Sequence, residues 1–187
     1  MKAFFSVSVA LFILCNVASA KKMLYKKGQN IVQVGIGIGG IGGFYGTSSL
    51  PVISAGVDFG IHEFISVGGM IGYSTSKFEY PYLIVGQNNV YSYKYSYITI
   101  AGRGSYHAPL DVKKTDIYGG LDLGYTIVSA KVDGQTPTGL VIAGASGSYF
   151  FFGIHVGARY YFSEKVAAYG ELGYGFGILN IGVAFRI

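Results

Sequence analysis

Three arginines lie inside runs of alternating residues, and this pattern limits the folds that are open to the chain. They are Arg103, Arg159 and Arg186. In each run, large apolar residues hold one parity, while small residues and the arginine hold the other. Successive side chains of a β-strand point to opposite faces, so each strand has one apolar face and one face that carries small residues and an arginine. A narrow closed lumen accommodates such a face, and the pattern therefore predicts a small transmembrane β-barrel.

Residues 1–20 have the features of a cleaved signal peptide. Lys2 supplies a positive charge, residues 7–17 form an apolar core, and a small-x-small pattern ends at Ala20. The single cysteine, Cys15, lies in this segment, so the predicted mature chain uses no disulfide or thiolate chemistry. A membrane anchor and a lipoprotein are the alternatives; the apolar run is short for a span, and Leu14 precedes the cysteine.

The net charge of +5 comes from the start of the chain. Four lysines lie in residues 21–29, which we interpret as a basic N-terminal tail, and Lys2 lies in the predicted signal peptide. The remaining nine Lys and Arg balance the nine Asp and Glu, which argues against a nucleic-acid partner. The tail either lies against a membrane surface or is exposed to solvent.

Alternation places eight strands in residues 30–187, the predicted barrel domain. With the apolar parity facing lipid, the strands are Ile31–Gly39, Val52–Ile61, Phe64–Ser74, Tyr91–His107, Asp116–Ser129, Tyr149–Phe162, Val166–Gly175 and Ile178–Ile187. The sequence predicts an all-β, eight-stranded antiparallel up-and-down transmembrane β-barrel. An even strand number leaves both ends of the domain on the periplasmic side.

The connections between these strands alternate in length. Short connections after strands two, four and six predict periplasmic turns. Longer segments, rich in Gly, Ser, Pro and Asn, predict extracellular loops at Gly40–Pro51, Thr75–Val90 and Ala130–Ser148. Short turns on one side and long loops on the other are typical of outer-membrane barrels.

Six charged residues lie inside the predicted strands on the lumen parity. They are Asp58, Arg103, Asp122, Arg159, Glu171 and Arg186, and their charges sum to zero. Each arginine would cost about 2–4 kcal/mol if it faced the bilayer midplane, so we expect all of them to point inward. The interior of an eight-stranded barrel is just wide enough for side chains to fill it. We therefore predict a plugged lumen with a salt-bridge network, and the alternative is a narrow conduction path.

The three histidines, His62, His107 and His155, do not have the spacing of a metal site. A Ser-His-acid set needs only to meet in space, so a lipid-modifying barrel enzyme remains a further alternative. Such an enzyme would need the serine and histidine near the outer surface, whereas His155 is predicted to face the lumen.

A cluster of tyrosines flanks the predicted second loop. Its members are Tyr80, Tyr82, Tyr91, Tyr93, Tyr95 and Tyr97. Tyrosine favours membrane–water interfaces, so the cluster predicts an aromatic girdle that continues above the membrane. The alternative is a surface that binds a partner or a glycan.

The predicted barrel resembles the bacterial outer-membrane β-barrel domain family, including the barrel of outer-membrane protein A and the small protein X barrels. The resemblance rests on Ile53–Ile61, Ile65–Gly69 and Glu171–Gly175, and it extends over nearly all of residues 30–187. One departure is that the chain ends in Phe185-Arg186-Ile187, with its last aromatic residue two places before the end.

The resemblance implies a non-enzymatic protein of the bacterial outer membrane, with a structural or surface-interaction role. It implies no cofactor. The implied partners are the outer-membrane lipid, the barrel assembly machinery during biogenesis and an extracellular ligand bound through the loops.

Overall fold

The computed structural model describes residues 25–39, 48–84, 87–110, 112–134 and 145–187. Within these ranges it contains eight β-strands: β1 Asn30–Ile38, β2 Ser48–Gly60, β3 Ile65–Ile84, β4 Gln87–His107, β5 Thr115–Gly134, β6 Ala145–Tyr161, β7 Val166–Tyr174 and β8 Leu179–Arg186. No helix in the described ranges is long and apolar enough to cross a membrane.

The eight strands form a closed antiparallel barrel, which confirms the predicted fold class. Each strand pairs with its neighbours in sequence, and β8 pairs with β1 from Ile31↔Arg186 to Ile38↔Leu179. Closure satisfies the backbone hydrogen bonds of both edge strands, as a β-structure in a bilayer requires. The short turns and the barrel's chain ends lie at one end, which by the pattern of outer-membrane barrels faces the periplasm.

Apolar side chains cover the outside of the barrel, and polar side chains fill much of the inside. Ile53, Tyr125 and Ile154, which were predicted to face lipid, are 57%, 62% and 50% exposed. Asp58, Asp122 and Glu171 on the opposite parity are almost completely buried. This inverted distribution is the one that a membrane-spanning barrel requires.

The strands on one side of the barrel extend much further than the predicted loops allow. Thr75–Val90 was predicted to be a loop, and that prediction is wrong, because β3 and β4 stay paired from Ser74↔Tyr97 to Ile84↔Gln87. The sequence signal fails here because Thr75, Lys77 and Glu79 hold the parity that is apolar within the membrane band, so the alternation that marks a membrane strand disappears. The ends of β5 and β6 also extend into the predicted loop Ala130–Ser148.

We call the paired part beyond the membrane band the protruding sheet. It consists of β2 residues 48–50, β3 residues 75–84, β4 residues 87–96, β5 residues 129–134 and β6 residues 145–146. Strands β1, β7 and β8 have only eight or nine residues and do not contribute to it. The barrel is therefore low on one side and tall on the other.

The segment before β1 folds back against the barrel. Gly28 N–H donates to the Gly60 carbonyl at 2.8 Å, and Gly60 N–H donates to the Gln29 carbonyl at 2.9 Å. Lys26 and Lys27 are exposed, whereas Tyr25 is buried. The predicted signal peptide and the first part of the predicted tail, residues 1–24, lie outside the described residues.

Closure between β1 and β8 predicts the outcome of a cross-linking experiment. Ile36 and Ile181 are directly opposite each other and both are exposed. In a Cys15→Ser background, Ile36→Cys with Ile181→Cys should form an intramolecular disulfide, since opposite Cα atoms lie within about 4.4–6.8 Å. Non-reducing electrophoresis followed by mass spectrometry of the linked peptides measures it.

The control pair is Ile36→Cys with Val183→Cys, which is diagonal and about 7–8 Å apart. It should cross-link poorly. Equal cross-linking of the two pairs, or none in the first, would contradict the closed register.

Candidate functional site

Arg103 organises the part of the charged lumen nearer the outer end of the barrel. Its Nε donates to Asp122 Oδ1 at 2.8 Å, and its Nη1 and Nη2 donate to the two Glu171 carboxylate oxygens at 2.7 and 3.1 Å. Asp122 is the cross-strand partner of Arg103, whereas Glu171 reaches it from β7 across the lumen. The guanidinium therefore holds two carboxylates, one of them bidentately, in a geometry that gives strong charge-assisted hydrogen bonds.

Arg159 organises the part nearer the periplasm. Its side chain is completely buried, and its Nη2 donates to Asp58 Oδ2 and to Gln33 Oε1. Its Nη1 donates to Asp116 Oδ2 at 3.5 Å. Its guanidinium lies 4.1 Å from the centroid of the Tyr118 ring, within the range of a cation–π contact.

Tyr118 connects the two arginine clusters. Its ring lies against Arg159, and its hydroxyl donates to Glu171 Oε1 at 2.8 Å. Glu171 in turn accepts from Arg103. The lumen therefore contains one continuous polar network rather than two separate sites.

Two histidines complete this network, and each of them bridges a serine and an aspartate. His155 Nε2 lies 3.0 Å from Ser105 Oγ, and its Nδ1 lies 2.9 Å from Asp122 Oδ2. This order of groups is that of a serine-hydrolase triad. However, Ser105 is only 3% exposed and lies among the packed polar side chains of the lumen.

The second histidine repeats the arrangement near the periplasm. His107 Nε2 lies 3.0 Å from Ser66 Oγ, and its Nδ1 lies 2.9 Å from Asp116 Oδ1. Ser66 and His107 are both completely buried. In both sets, the histidine satisfies the hydrogen-bonding groups of two buried polar side chains, as burial in a dry interior requires.

An apolar layer closes the periplasmic end of the network. The Tyr25 ring stacks on His107 with centroids 3.5 Å apart and planes 2° from parallel. Burial raises the pKa of Tyr25 to about 12, so its phenol is neutral at ordinary pH. Tyr25 belongs to a buried cluster with Ile31, Tyr161, Ala167, Tyr169 and Ala184.

A second apolar layer closes the outer end. Its buried members are Val52, Met70, Ala101, Phe151 and Phe176. Phe176 belongs to the turn between β7 and β8, where Gly175 has a φ of 118° that allows the turn to direct the ring inward. A Cβ at Gly72 would lie 2.8 Å from this ring, so glycine leaves the space that the ring fills. The charged network is therefore enclosed between two apolar layers.

The structure brings five of the six predicted lumen residues into contact with one another: Asp58, Arg103, Asp122, Arg159 and Glu171 belong to the network just described. Arg186 does not join them. Its Nη1 donates to the Glu164 carbonyl at 3.1 Å, and its guanidinium lies 4.1 Å from the Tyr161 ring centroid. The physical reason is its place as the last residue of β8, at the rim of the barrel.

Sequence reasoning missed several members of the network, above all Asp116 and Tyr118. Both have the same parity as Asp122 on β5, and this signal was available in the sequence. Asp116 was assigned only to a strand end, and Tyr118 was not assigned to either face. No group of three or more His, Cys, Asp or Glu in the described ranges has the arrangement of a metal site.

Comparisons with known proteins agree with this fold. A family model described as outer membrane protein beta-barrel domain matches residues 7–182. The N-terminal β-barrel domain of Pseudomonas aeruginosa OprF is similar, with 11% sequence identity and a TM-score of 0.50 over 86% of this chain and 98% of that one. Ail of Yersinia pestis, in complex with the heparin analogue sucrose octasulfate, has 12% identity and a TM-score of 0.50 over 86% and 99%. No curated protein sequence matches.

The buried guanidinium of Arg159 predicts a large effect on stability. Arg159→Met should lower the free energy of unfolding by about 3–5 kcal/mol, because Asp58 and Asp116 lose their shared cation in a dry interior. Urea unfolding of the protein in lipid vesicles measures this change. Arg186→Met is the matched control, and it should cost about 1 kcal/mol, since it removes one cation–π contact and one hydrogen bond to a main-chain carbonyl at the partly exposed rim. Equal losses for the two variants would contradict the network.

Proposed function

We propose a surface-interaction role for this chain, which belongs to the outer membrane protein β-barrel domain family and lies in the outer membrane. The role is that of a non-enzymatic barrel that presents the protruding sheet outside the cell, while its lumen serves only as a rigid core. The observation that carries the proposal is a lumen filled by paired charges between two apolar layers, beneath a sheet that extends beyond it.

The filled lumen favours a structural core over the alternative of a narrow pore. A conducting path needs water and mobile ions, whereas Arg103 and Arg159 are both held by carboxylates within hydrogen-bond distance. An eight-stranded barrel has little interior space beyond that of its own side chains. Opening the path would require breaking buried ion pairs, which costs several kcal/mol for each charge.

The protruding sheet has the features of an interaction surface. Within the described residues, β6 pairs with β7 only from Ile154 onward, so the β6 residues of the protruding sheet pair on one side alone. On the opposite edge, no residue among those that the structure describes pairs with β3 on the β2 side beyond Lys77. Unpaired strand edges bind extended segments of other proteins by adding a strand.

Aromatic rings on the protruding sheet add contact area. Tyr93 and Tyr95 stack along β4 with centroids 6.3 Å apart, Phe78 meets Tyr95 edge to face, and Tyr97 continues the stack at 6.5 Å just below the sheet. Tyrosine supplies a large contact area with a hydrogen-bonding group, as binding surfaces often do. The proposed partners are therefore an extracellular ligand at this sheet, lipid around the barrel and the assembly machinery during biogenesis.

The alternative of a lipid-modifying enzyme has one observation in its favour, the two Ser-His-Asp sets of the lumen. Catalysis requires a reacting carbonyl about 3 Å from the serine oxygen. Both serines are buried beneath packed side chains. This burial supports a hydrogen-bonding role for the two sets rather than hydrolysis.

The proposed role predicts electrical silence. The folded protein in a planar lipid bilayer should give no discrete current steps, because the paired charges and the two apolar layers leave no water-filled path. Insertion is verified separately by heat-modifiable electrophoretic mobility of the recovered protein. A known porin in the same bilayer is the control for detection. Reproducible current steps from the chain itself would contradict a sealed lumen and favour the pore.

A shortened hairpin tests the surface role. Replacing residues 80–91 with Asn-Gly joins the paired residues Glu79 and Ser92 through a favoured hairpin turn. The variant should keep its heat-modifiable mobility and reach the outer membrane at the wild-type level when it is expressed in a strain that lacks the protein. Adhesion of its cells to a cell monolayer should fall to the level of that strain.

The matched control joins Leu83 to Asn88 with the same turn and keeps most of the hairpin. It should retain adhesion. Full adhesion by cells carrying the shorter variant would contradict the surface role.

A further inference from the structure

Three lysines form a row across the protruding sheet. Lys77 on β3 is directly opposite Lys94 on β4, and Lys94 is directly opposite Lys131 on β5. Residues that are directly opposite share a face of the sheet, with Cβ atoms about 4.5–5.5 Å apart. Like charges in this position destabilise a sheet, so pairing of the strands alone does not favour this row.

The row lies on the face that continues the lipid-facing wall of the barrel. Tyr73, Ile98 and Ile127 are exposed on that wall, and each lysine is four residues further along the same strand. An even separation keeps the face unchanged, and these strand pairs have no register shift. A row of Thr75, Ser96 and Ser129 lies between the two. The outer wall thus changes from apolar to hydroxyl to ammonium groups.

The height of the row matches the polar zone of a membrane. A strand residue rises about 3.4 Å, and a tilt of about 40° leaves about 2.6 Å per residue along the membrane normal. Ile117 to Ile127 then spans about 26 Å, close to the apolar band of about 25 Å in such barrels. The lysine row lies about 10 Å above the top of this band, and long lysine stems reach back toward the interface.

The charges of the row are only partly matched within the protein. Lys77 pairs with Glu79 at 2.8 Å. Lys94 and Lys131 are exposed and make no ion pair with a described side chain. The row therefore offers ammonium groups to a nearby anion.

We propose that Lys77, Lys94 and Lys131 bind the phosphate groups of a phosphorylated lipid in the outer leaflet, whose acyl chains lie against the apolar wall below the row. The outward face of the row favours a lipid over a soluble polyanion, because a soluble chain would have to enter the headgroup layer. This assignment depends on the membrane position of the barrel and not on the proposed adhesion role.

Native mass spectrometry of the full folded chain in detergent tests the assignment. The probes are lipid A with two phosphates and the same lipid without phosphates. Lys94→Gln with Lys131→Gln should weaken binding of the phosphorylated lipid roughly 30-fold, since each lysine near an anionic headgroup contributes roughly 5-fold. Lys113→Gln with Lys165→Gln removes the same charge from the exposed periplasmic turns and should change nothing.

Heat-modifiable mobility verifies that each variant is folded, and single variants with roughly 5-fold effects replace the double variant if it fails to fold. The wild-type protein should bind the dephosphorylated lipid at least as weakly as the double variant, which keeps Lys77, binds the phosphorylated one. Unchanged lipid affinity in Lys94→Gln with Lys131→Gln, or an equal loss in the periplasmic control, would overturn the assignment. Binding of soluble heparin that depends on these lysines, with lipid affinity unaffected by them, would also overturn it.

Discussion

Pairing of two buried guanidinium groups with carboxylates is the interaction on which this barrel depends. Arg103 and Arg159 are almost completely buried, and each contacts two or more acidic side chains from other strands. These contacts link β2, β4, β5, β6 and β7 across the lumen. A slip of any one strand by a single residue would move its charge into lipid and leave the partners unpaired, so the network and the register stabilise each other.

The membrane band and the part beyond it impose different requirements on the residues of the same strands. Within the membrane band, the alternation is strict because lipid lies on one side and packed polar groups lie on the other. Beyond the band, both faces of β3, β4 and β5 meet polar surroundings, and hydroxyl and charged residues replace the apolar ones. The short strands β1, β7 and β8 end near the membrane, and the tucked Phe176 ring covers the lumen where they end.

These differences explain how much the sequence could predict. Strand number, closure and the outward face of residues such as Ile53 and Ile154 follow from alternation, and lipid enforces that alternation strongly. The length of β3 beyond Ser74 could not be predicted, because Thr75, Lys77 and Glu79 replace apolar residues on the parity that faces lipid lower in the strand. The partners of Glu171 depend on the width and stagger of the closed barrel, which a single sequence does not give. Arg186 has the lumen parity, yet its position at the end of β8 separates it from the network.

Solid-state NMR of the protein in lipid bilayers tests the central claim most directly, through distances between arginine ¹⁵N and carboxylate ¹³C nuclei. The account predicts short distances from the Arg103 guanidinium to the Glu171 carboxylate and from the Arg159 guanidinium to the Asp58 carboxylate, with no contact to lipid ³¹P. Guanidinium groups close to lipid phosphorus, or in contact with bulk water rather than with carboxylates, would contradict it.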